Sequence, residues 1–521
     1  LASPQPPRRL KIAYAVAEAA PWCATGGLGD VSGALPQALS DLGADVALFL
    51  PLYREVRRKI HATGSSLQDT GAVSSVWLGG HRVDGRFLRI VPPAQEVVLE
   101  EQALGDDGLP VHGEERTAAR VPVYVFDCAV LFDRDGLYGH GDDCARFSTF
   151  SRAVLNCASR LMNGAPDVIH CHDWHTALIP LFLSGPYQRL LPHTASVLTV
   201  HNLGYQGIFP ASELPIAGFG PEYFTLDRLE FYGRINFLKG GLTTADALST
   251  VSPRYADEIR TPEFGERLDP VLRQHGARLY GILNGIDGKV WNPETDPHLP
   301  HNYSAQDLEG KGLCRRAMLA MARMNGDDPH PVFGVVSRFA RQKGLDLVAE
   351  LVPYLVQRGG RLLLLGQGEP GLEQAFQGLE DAYPQHVRVA FAHDPRLAHL
   401  LQAGADATLM PSRYEPCGLT QLYAMRYGTL PIVRAVGGLR DTVVPTTRAT
   451  LADGTATGFT FEHDTLDGLK WAVDQALQTF YREPQTWKQV QQQAMAQDFS
   501  WKRSAERYLK VFELAVARRR S

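Results

Sequence analysis

The sequence predicts an α/β protein made of two doubly wound domains. Three observations carry this. Short apolar runs alternate with amphipathic stretches along most of the chain. The runs end in Gly, Asp, His or Ser, each followed by a helix-like stretch. The rhythm stops once, between about residues 280 and 327, in polar, Pro- and Asn-containing segments, and then restarts.

In chain order, strands are predicted at 11–17, 46–50, 121–126, 168–170 and 196–200, then at 332–336, 361–365, 387–391, 407–410 and 430–433. Continuously apolar runs such as 362–365 fit parallel strands covered on both faces. Helices are predicted at 345–356 and 397–404, with further ones at 466–480, 486–497 and 501–518. Residues 71–113, rich in Gly and acidic side chains, read as a β-type insertion with a loop. The two domains join near 283–287. Ligands of such sheets bind outside the carboxyl ends of the strands, which is where site residues are sought.

The chain has 521 residues, enough for two to four domains at roughly 100–200 residues each. A formal net charge of −5 gives no reason to expect nucleic acid or an anionic membrane as partner. No apolar run is long enough to predict a membrane-spanning helix. Residues 1–9 lack an apolar h-region and read as a processed end, or as the stub left by a removed transit peptide, rather than as a secretory signal. Seven cysteines, an odd number without close pairing, read as buried free thiols rather than a disulfide framework or a zinc site.

Four segments carry candidate chemistry. Thr25-Gly26-Gly27-Leu28-Gly29-Asp30 lies between a strand and a helix expected to start near Val31. It reads either as a phosphate site, with glycines and helix N–H groups facing the anion, or as a tight turn. Arg338 and Lys343 follow strand 332–336 at a spacing suited to a diphosphate, the alternative being a solvated loop. After strand 407–410 come Glu415, a carboxylate suited to a sugar, and Gly418, Leu419 and Thr420, whose N–H groups open a helix; Glu415 reads alternatively as a helix cap. His170-Cys171-His172-Asp173-Trp174-His175 and His201-Asn202 end two strands. A metal there lacks a third ligand at any nearby spacing, so a sugar site with imidazole, carboxylate and a Trp face fits better. The triplet Asp133-Arg134-Asp135 has the spacing that holds a divalent ion in some sugar-nucleotide transferases, but its polar, Gly-containing surroundings read as a surface turn.

In order and spacing these segments, with Thr250-Val251-Ser252-Pro253, 283–287 and Gly437-Gly438-Leu439, resemble the bacterial glycogen synthases and plant starch synthases across about residues 10–505. That resemblance implies a retaining GT-B glycosyltransferase, with two Rossmann-like domains facing across a deep cleft. It implies an N-terminal acceptor-side domain at 1–279, a hinge at 280–288, a nucleotide-sugar domain at 289–495, and a C-terminal helix at 496–521 packing back on the first domain. The implied reaction moves glucose from ADP-glucose to the non-reducing end of an α-1,4-glucan (glycogen, starch or a maltooligosaccharide) and releases ADP. No metal or other cofactor is implied.

Matching positions take roles by the same resemblance. His201 stands near the 6-hydroxyl of the transferred glucose. Arg338 and Lys343 hold the distal phosphate, and Glu415 lies beside the glucose. Gly26, Gly27, Asn284, Cys417, Gly418, Leu419 and Thr420 contact donor glucose or diphosphate, Cys417 as a contact and not a nucleophile. His393 faces the adenine. Glu18, Tyr138, Asp173 and Asn202 line the acceptor side. Two positions depart from the family: Ala24 stands where Lys usually precedes the Thr-Gly-Gly run, and His393 where Tyr is frequent. Nothing resembles the pyridoxal-phosphate lysine segment of the glucan phosphorylases. The resemblance implies a cytoplasmic location in a bacterium, or a plastid in a photosynthetic eukaryote, and sets no oligomeric state.

Overall fold

Mostly apolar strands followed by a loop and a helix recur in both halves of the molecule. The computed structural model describes residues 9–93, 121–392 and 394–521; His393 and residues 94–113 of the predicted insertion lie outside the described residues. The chain forms two compact units. One runs to Ser249 and adds Pro270–Leu279 and Ala505–Ser521; the other is Thr250–Asp269 with Tyr280–Ser504.

The first part of the chain runs through β1 (Lys11–Ala15), β2 (Asp45–Pro51), β3 (Ser66–Leu78), β4 (His81–Val91), β5 (Val123–Asp127), β6 (Val168–His172), β7 (Ala195–Val200), β8 (Ile208–Pro210), β9 (Glu230–Phe231), β10 (Arg234–Asn236), β11 (Ala247–Thr250) and β12 (Leu279–Gly281). Among the described residues, nine of these form one sheet in the order β12-β11-β7-β6-β1-β2-β5-β4-β3, and β8-β10-β9 form a small second sheet. β1 is parallel to β2 and β6, and β6 to β7. The connections reverse direction at β1, so the crevice for a ligand lies past the ends of β1 and β6. β6 continues through His172, two residues beyond its predicted end, because all five of its side chains are buried. The predicted insertion is a β3–β4 hairpin in which buried Ala72, Ser74, Val76 and Leu78 alternate with exposed Val73, Ser75 and Trp77.

The C-terminal helix Trp501–Arg520 buries Ser504, Ala505, Tyr508, Val511, Phe512 and Ala515, a helical stripe at three- and four-residue spacing. Its Tyr508 and Phe512 rings pack on His170, at centroid distances of 5.3 and 5.0 Å. Arg519 donates to the Leu183 carbonyl, which ties the end of this helix to the first unit.

The second unit holds β13 (Val332–Val336), β14 (Arg361–Leu365), β15 (Val387–Ala390), β16 (Ala407–Met410), β17 (Leu430–Arg434) and β18 (Phe459–Phe461). They pair in the order β15-β14-β13-β16-β17-β18, with every pairing parallel. This is the dinucleotide-fold order, and its switch point falls at β13 and β16. Helix Leu345–Gln357 covers one face with Leu345, Val348, Leu351, Val352 and Leu355. Residues 250–269, expected in the first domain, group with this unit. Helix Pro253–Glu258 packs there on helix Gly437–Thr442, and long-range hydrogen bonds add to it: Ser252 Oγ donates to the Pro416 carbonyl at 2.8 Å, and the Gly437 N–H meets the Glu258 carboxylate at 3.1 Å. All seven cysteines are buried and free. Among the described residues no helix is long and apolar enough to cross a membrane.

Candidate functional site

In the second unit, the loops leaving β13 and β16 bring Arg338, Lys343 and Thr420 of the predicted donor set together. A cavity of about 150 Å³ opens there, lined by Ser337, Arg338, Lys343, Met410, Ser412 and Thr420 among others. Gly344 makes the approach of the two loops possible. Its φ is +65°, and a Cβ there would lie 2.1 Å from the Pro411 carbonyl oxygen. Arg338 is exposed at the mouth. Lys343 is largely buried, and its Nζ lies 2.6 Å from Oε2 of Glu415. The same oxygen accepts from Ser412 Oγ at 3.0 Å. Glu415 is no helix cap: helix Thr420–Arg426 begins five residues later behind Leu419.

The loop carrying Glu415 is held from outside. Gly438 N–H donates to the Glu415 carbonyl at 3.0 Å. Gly437, at φ +46°, packs so closely that a Cβ would sit 2.0 Å from that carbonyl oxygen. Glu258 receives the Gly437 N–H and is paired with Arg254 at 2.9 Å. Burial raises its carboxyl pKa and the Gly437 N–H opposes that rise. Cys417 is buried beside Asn284, whose N–H reaches the thiol. Burial pushes that thiol up to about 12, so it stays protonated and is no nucleophile. The buried Asn284 Oδ1 has no hydrogen-bond partner in the protein. Gln421 donates to the Cys417 and Gly418 carbonyls and fixes the turn at Gly418.

In the first unit, residues predicted for the acceptor side lie at and beside the ends of β1, β6 and β7. Glu18 accepts from Thr25 Oγ1 at 2.8 Å, from the Thr25 N–H, and from Tyr138 Oη at 2.6 Å. It thereby links the glycine loop to the Tyr138 segment. The helix there starts at Gly27, earlier than expected, with Gly26 as its extended N-cap, and Ala24 is exposed just before it. Asp173, at φ +52°, accepts the His201 N–H at 2.7 Å and the Asn202 N–H at 3.5 Å. Burial nonetheless raises its pKa to about 7. A strained backbone around a buried carboxyl is common at functional sites. His201 is buried with its pKa pushed down to about 3, so its ring is neutral, and its Nε2 lies 3.0 Å from His172 Nδ1. The Trp174 and Tyr138 rings pack against the His175 ring at centroid distances of 4.0 and 4.4 Å, tilted by 32° and 33°.

Some sequence candidates are not gathered. Asp133 and Asp135 are both paired with Arg54, at 3.0 and 3.1 Å, as a surface turn allows. Larger cavities of about 490 and 480 Å³ adjoin Asp167, at the amino ends of β1 and β6, where sheets of this type do not bind ligands. Conversely, the sequence assigned no role to Ser412, Glu258 or Gln421, and it placed His172 in a candidate sugar site without its contact to His201. Ser412 had a local signal, three residues before Glu415; Glu258 had none.

The chain is similar to known proteins along nearly its whole length. A family model described as the starch synthase catalytic domain matches residues 11–274, and one described as glycosyl transferases group 1 matches 321–490. Glycogen synthase of Syntrophotalea carbinolica is 41% identical over 515 residues, covering 97% of this chain and 99% of that protein. Glycogen synthase of Myxococcus xanthus is 42% identical over 516 residues, covering 98% and 100%. The catalytic domain of starch synthase IV from Arabidopsis thaliana, solved bound to ADP and acarbose, matches with a TM-score of 0.85 at 31% identity, covering 98% of this chain and 100% of that one. With its two α/β units, its cation-lined switch point and these relatives, the chain belongs to the GT-B glycosyltransferase family of glycogen and starch synthases.

Proposed function

We propose that this protein transfers glucose from ADP-glucose to the terminal 4-hydroxyl of an α-1,4-glucan, with retention of configuration and release of ADP. The observation that carries this is the cavity at the β13/β16 switch point, where Arg338 and Lys343 meet the Glu415 loop. The two cations and the N–H groups of Gly418–Thr420 receive the diphosphate, and they stabilise its charge as the glycosidic bond breaks. No metal is needed for that charge. Glu415 lies against the sugar and stabilises positive charge on it. Asn284 Oδ1 accepts from a glucose hydroxyl.

Glu18, Tyr138, Asp173 and Asn202 bind the acceptor chain, and neutral His201 hydrogen-bonds the 6-hydroxyl of the transferred glucose. The relative solved with ADP supports the donor, and the glycogen synthase relatives support the glucan. Seven free thiols and the bacterial relatives support a cytoplasmic location.

The test is ADP release from ADP-glucose with and without glycogen, with UDP-glucose and EDTA as controls. Glycogen-dependent release that survives EDTA and favours ADP-glucose is expected. Release only from UDP-glucose overturns the donor. Glycogen binding with no release from either donor overturns the activity.

A further inference from the structure

Two imidazoles are buried one behind the other at the ends of β6 and β7. His172 is fully buried, and its Nδ1 lies 3.0 Å from Nε2 of His201. Its own Nε2 has no hydrogen-bond partner. Rings cover His172, with Tyr14 at 4.2 Å and His170 at 4.0 Å between centroids. Burial keeps both members of the pair neutral.

A neutral imidazole carries one proton, so one ring must donate to the other. If His201 Nε2–H donates, the His172 proton is forced onto Nε2, as a buried N–H without an acceptor. If His172 Nδ1–H donates, the unpartnered atom is a bare ring nitrogen. Orphaned buried N–H groups are the rarer outcome in folded proteins, since a donor stripped of water loses a strong directed bond. His170 shows the same division of labour. Its Nε2 lies 2.7 Å from Thr199 Oγ1, which is 2.6 Å from Ser249 Oγ, while Nδ1 has no partner. His170 and His172 thus each have one bonded nitrogen on which the proton belongs, whereas neighbouring His175 has neither nitrogen bonded within the protein.

We propose that His172 is a positioning residue that locks His201 as its Nδ1–H tautomer, so that His201 meets its ligand only as a hydrogen-bond donor. Nε2 of His201 is occupied by His172, and Nδ1 carries the proton. His201 is therefore no general base, and the ligand atom it faces must be an acceptor. The identity of that atom as a glucose oxygen rests on the glucosyltransferase reading; the tautomer does not.

The first experiment is ¹⁵N NMR of the full chain labelled at histidine, with His201 assigned by the signals lost in His201→Asn. A protonated Nδ1 and an unprotonated Nε2 are expected; the reverse pattern overturns the proposal. The second compares His172→Phe, which keeps the ring but removes the donor, with His172→Asn, whose amide N–H can take the place of Nδ1–H. His172→Phe is expected to give mixed His201 tautomers and a kcat reduced about tenfold, with donor KM within about threefold. His172→Asn is expected to restore the Nδ1–H pattern and most of kcat. Unchanged kcat with a single tautomer in His172→Phe overturns the positioning role. A wild-type chain with the Nδ1–H tautomer but no glucosyl transfer would refute the activity and leave the tautomer standing.

Discussion

Lys343 Nζ, in the lining of the β13/β16 cavity, and Glu415 Oε2 form a 2.6 Å ion pair that is mostly shielded from solvent. The cation proposed for phosphate and the carboxylate proposed for the sugar thus hold each other. Glu415→Ala therefore frees Lys343 for the diphosphate while removing the charge beside the glucose. Turnover should fall by about 10²–10³-fold while ADP binding is kept or tightened, as read by steady-state kinetics and calorimetry. Near-normal turnover would remove Glu415 from the mechanism.

Arg338 is exposed at the cavity mouth, so its contribution falls on the ligand and not on the fold. A lost charge-assisted hydrogen bond weakens binding by about 10–100-fold. Arg338→Ala should raise the Kd for ADP in that range and leave Tm unchanged. A lowered Tm with normal ADP affinity would point to a structural role instead.

Glu258 acts on the Glu415 loop through Gly437. Glu258→Ala strands a buried N–H and unpairs Arg254, so about 1–3 kcal/mol of stability is expected to be lost, together with several-fold in kcat. Glu258→Gln keeps an acceptor for Gly437 and should recover most of kcat. Equal kcat in the two variants would argue against support of the loop.

Burial depresses the pKa of His170, His172, His175 and His201, the last to about 3 against an ordinary 6.5. The unfolded chain therefore binds more protons than the folded one below about pH 6.5, and stability falls as pH drops through that value. Asp173 works in the opposite sense. Its folded pKa of about 7 lies above the ordinary 3.8, so the folded state holds the extra proton and gains stability as pH falls from about 7 toward 4. Four imidazoles outweigh one carboxyl, and Tm measured by calorimetry should fall between about pH 6.5 and 5. Asp173→Asn, which keeps an oxygen for the His201 N–H, should raise Tm more at about pH 8 than at about pH 5.

Ala24 is exposed immediately before the helix that opens at Gly27. Ala24→Lys restores the cation usual in the family and should lower the KM for donor by about tenfold without a change in Tm. An unchanged KM would show that this chain meets the donor charge by other residues.

Much of the second unit was legible in the chain itself. Runs such as Leu362–Leu365 are apolar on both faces, which only a covered parallel strand requires, and β13, β14 and β16 have the predicted bounds. Arg338, Lys343 and Thr420 could be placed because each lies in the loop or helix start that follows a strand's carboxyl end. The hairpin of β3 and β4 was less legible, because its solvent face carries Val73 and Trp77 and so blurs the alternation.

Local periodicity and short spacings along the chain dictate the fold class, the loops at the strand ends and the residue types in them. How those residues are held is a matter of three-dimensional packing. Glu258 lies 179 residues from Gly437, and Ser252 lies 164 from Pro416. Neither pairing has a local signature. The tautomer of His201 likewise depends on which nitrogen of His172 finds a partner, and that is settled by the rings packed around it. Strands and turns arise from neighbours in the chain, whereas protonation and loop support arise from neighbours in space, where burial removes water as the alternative partner.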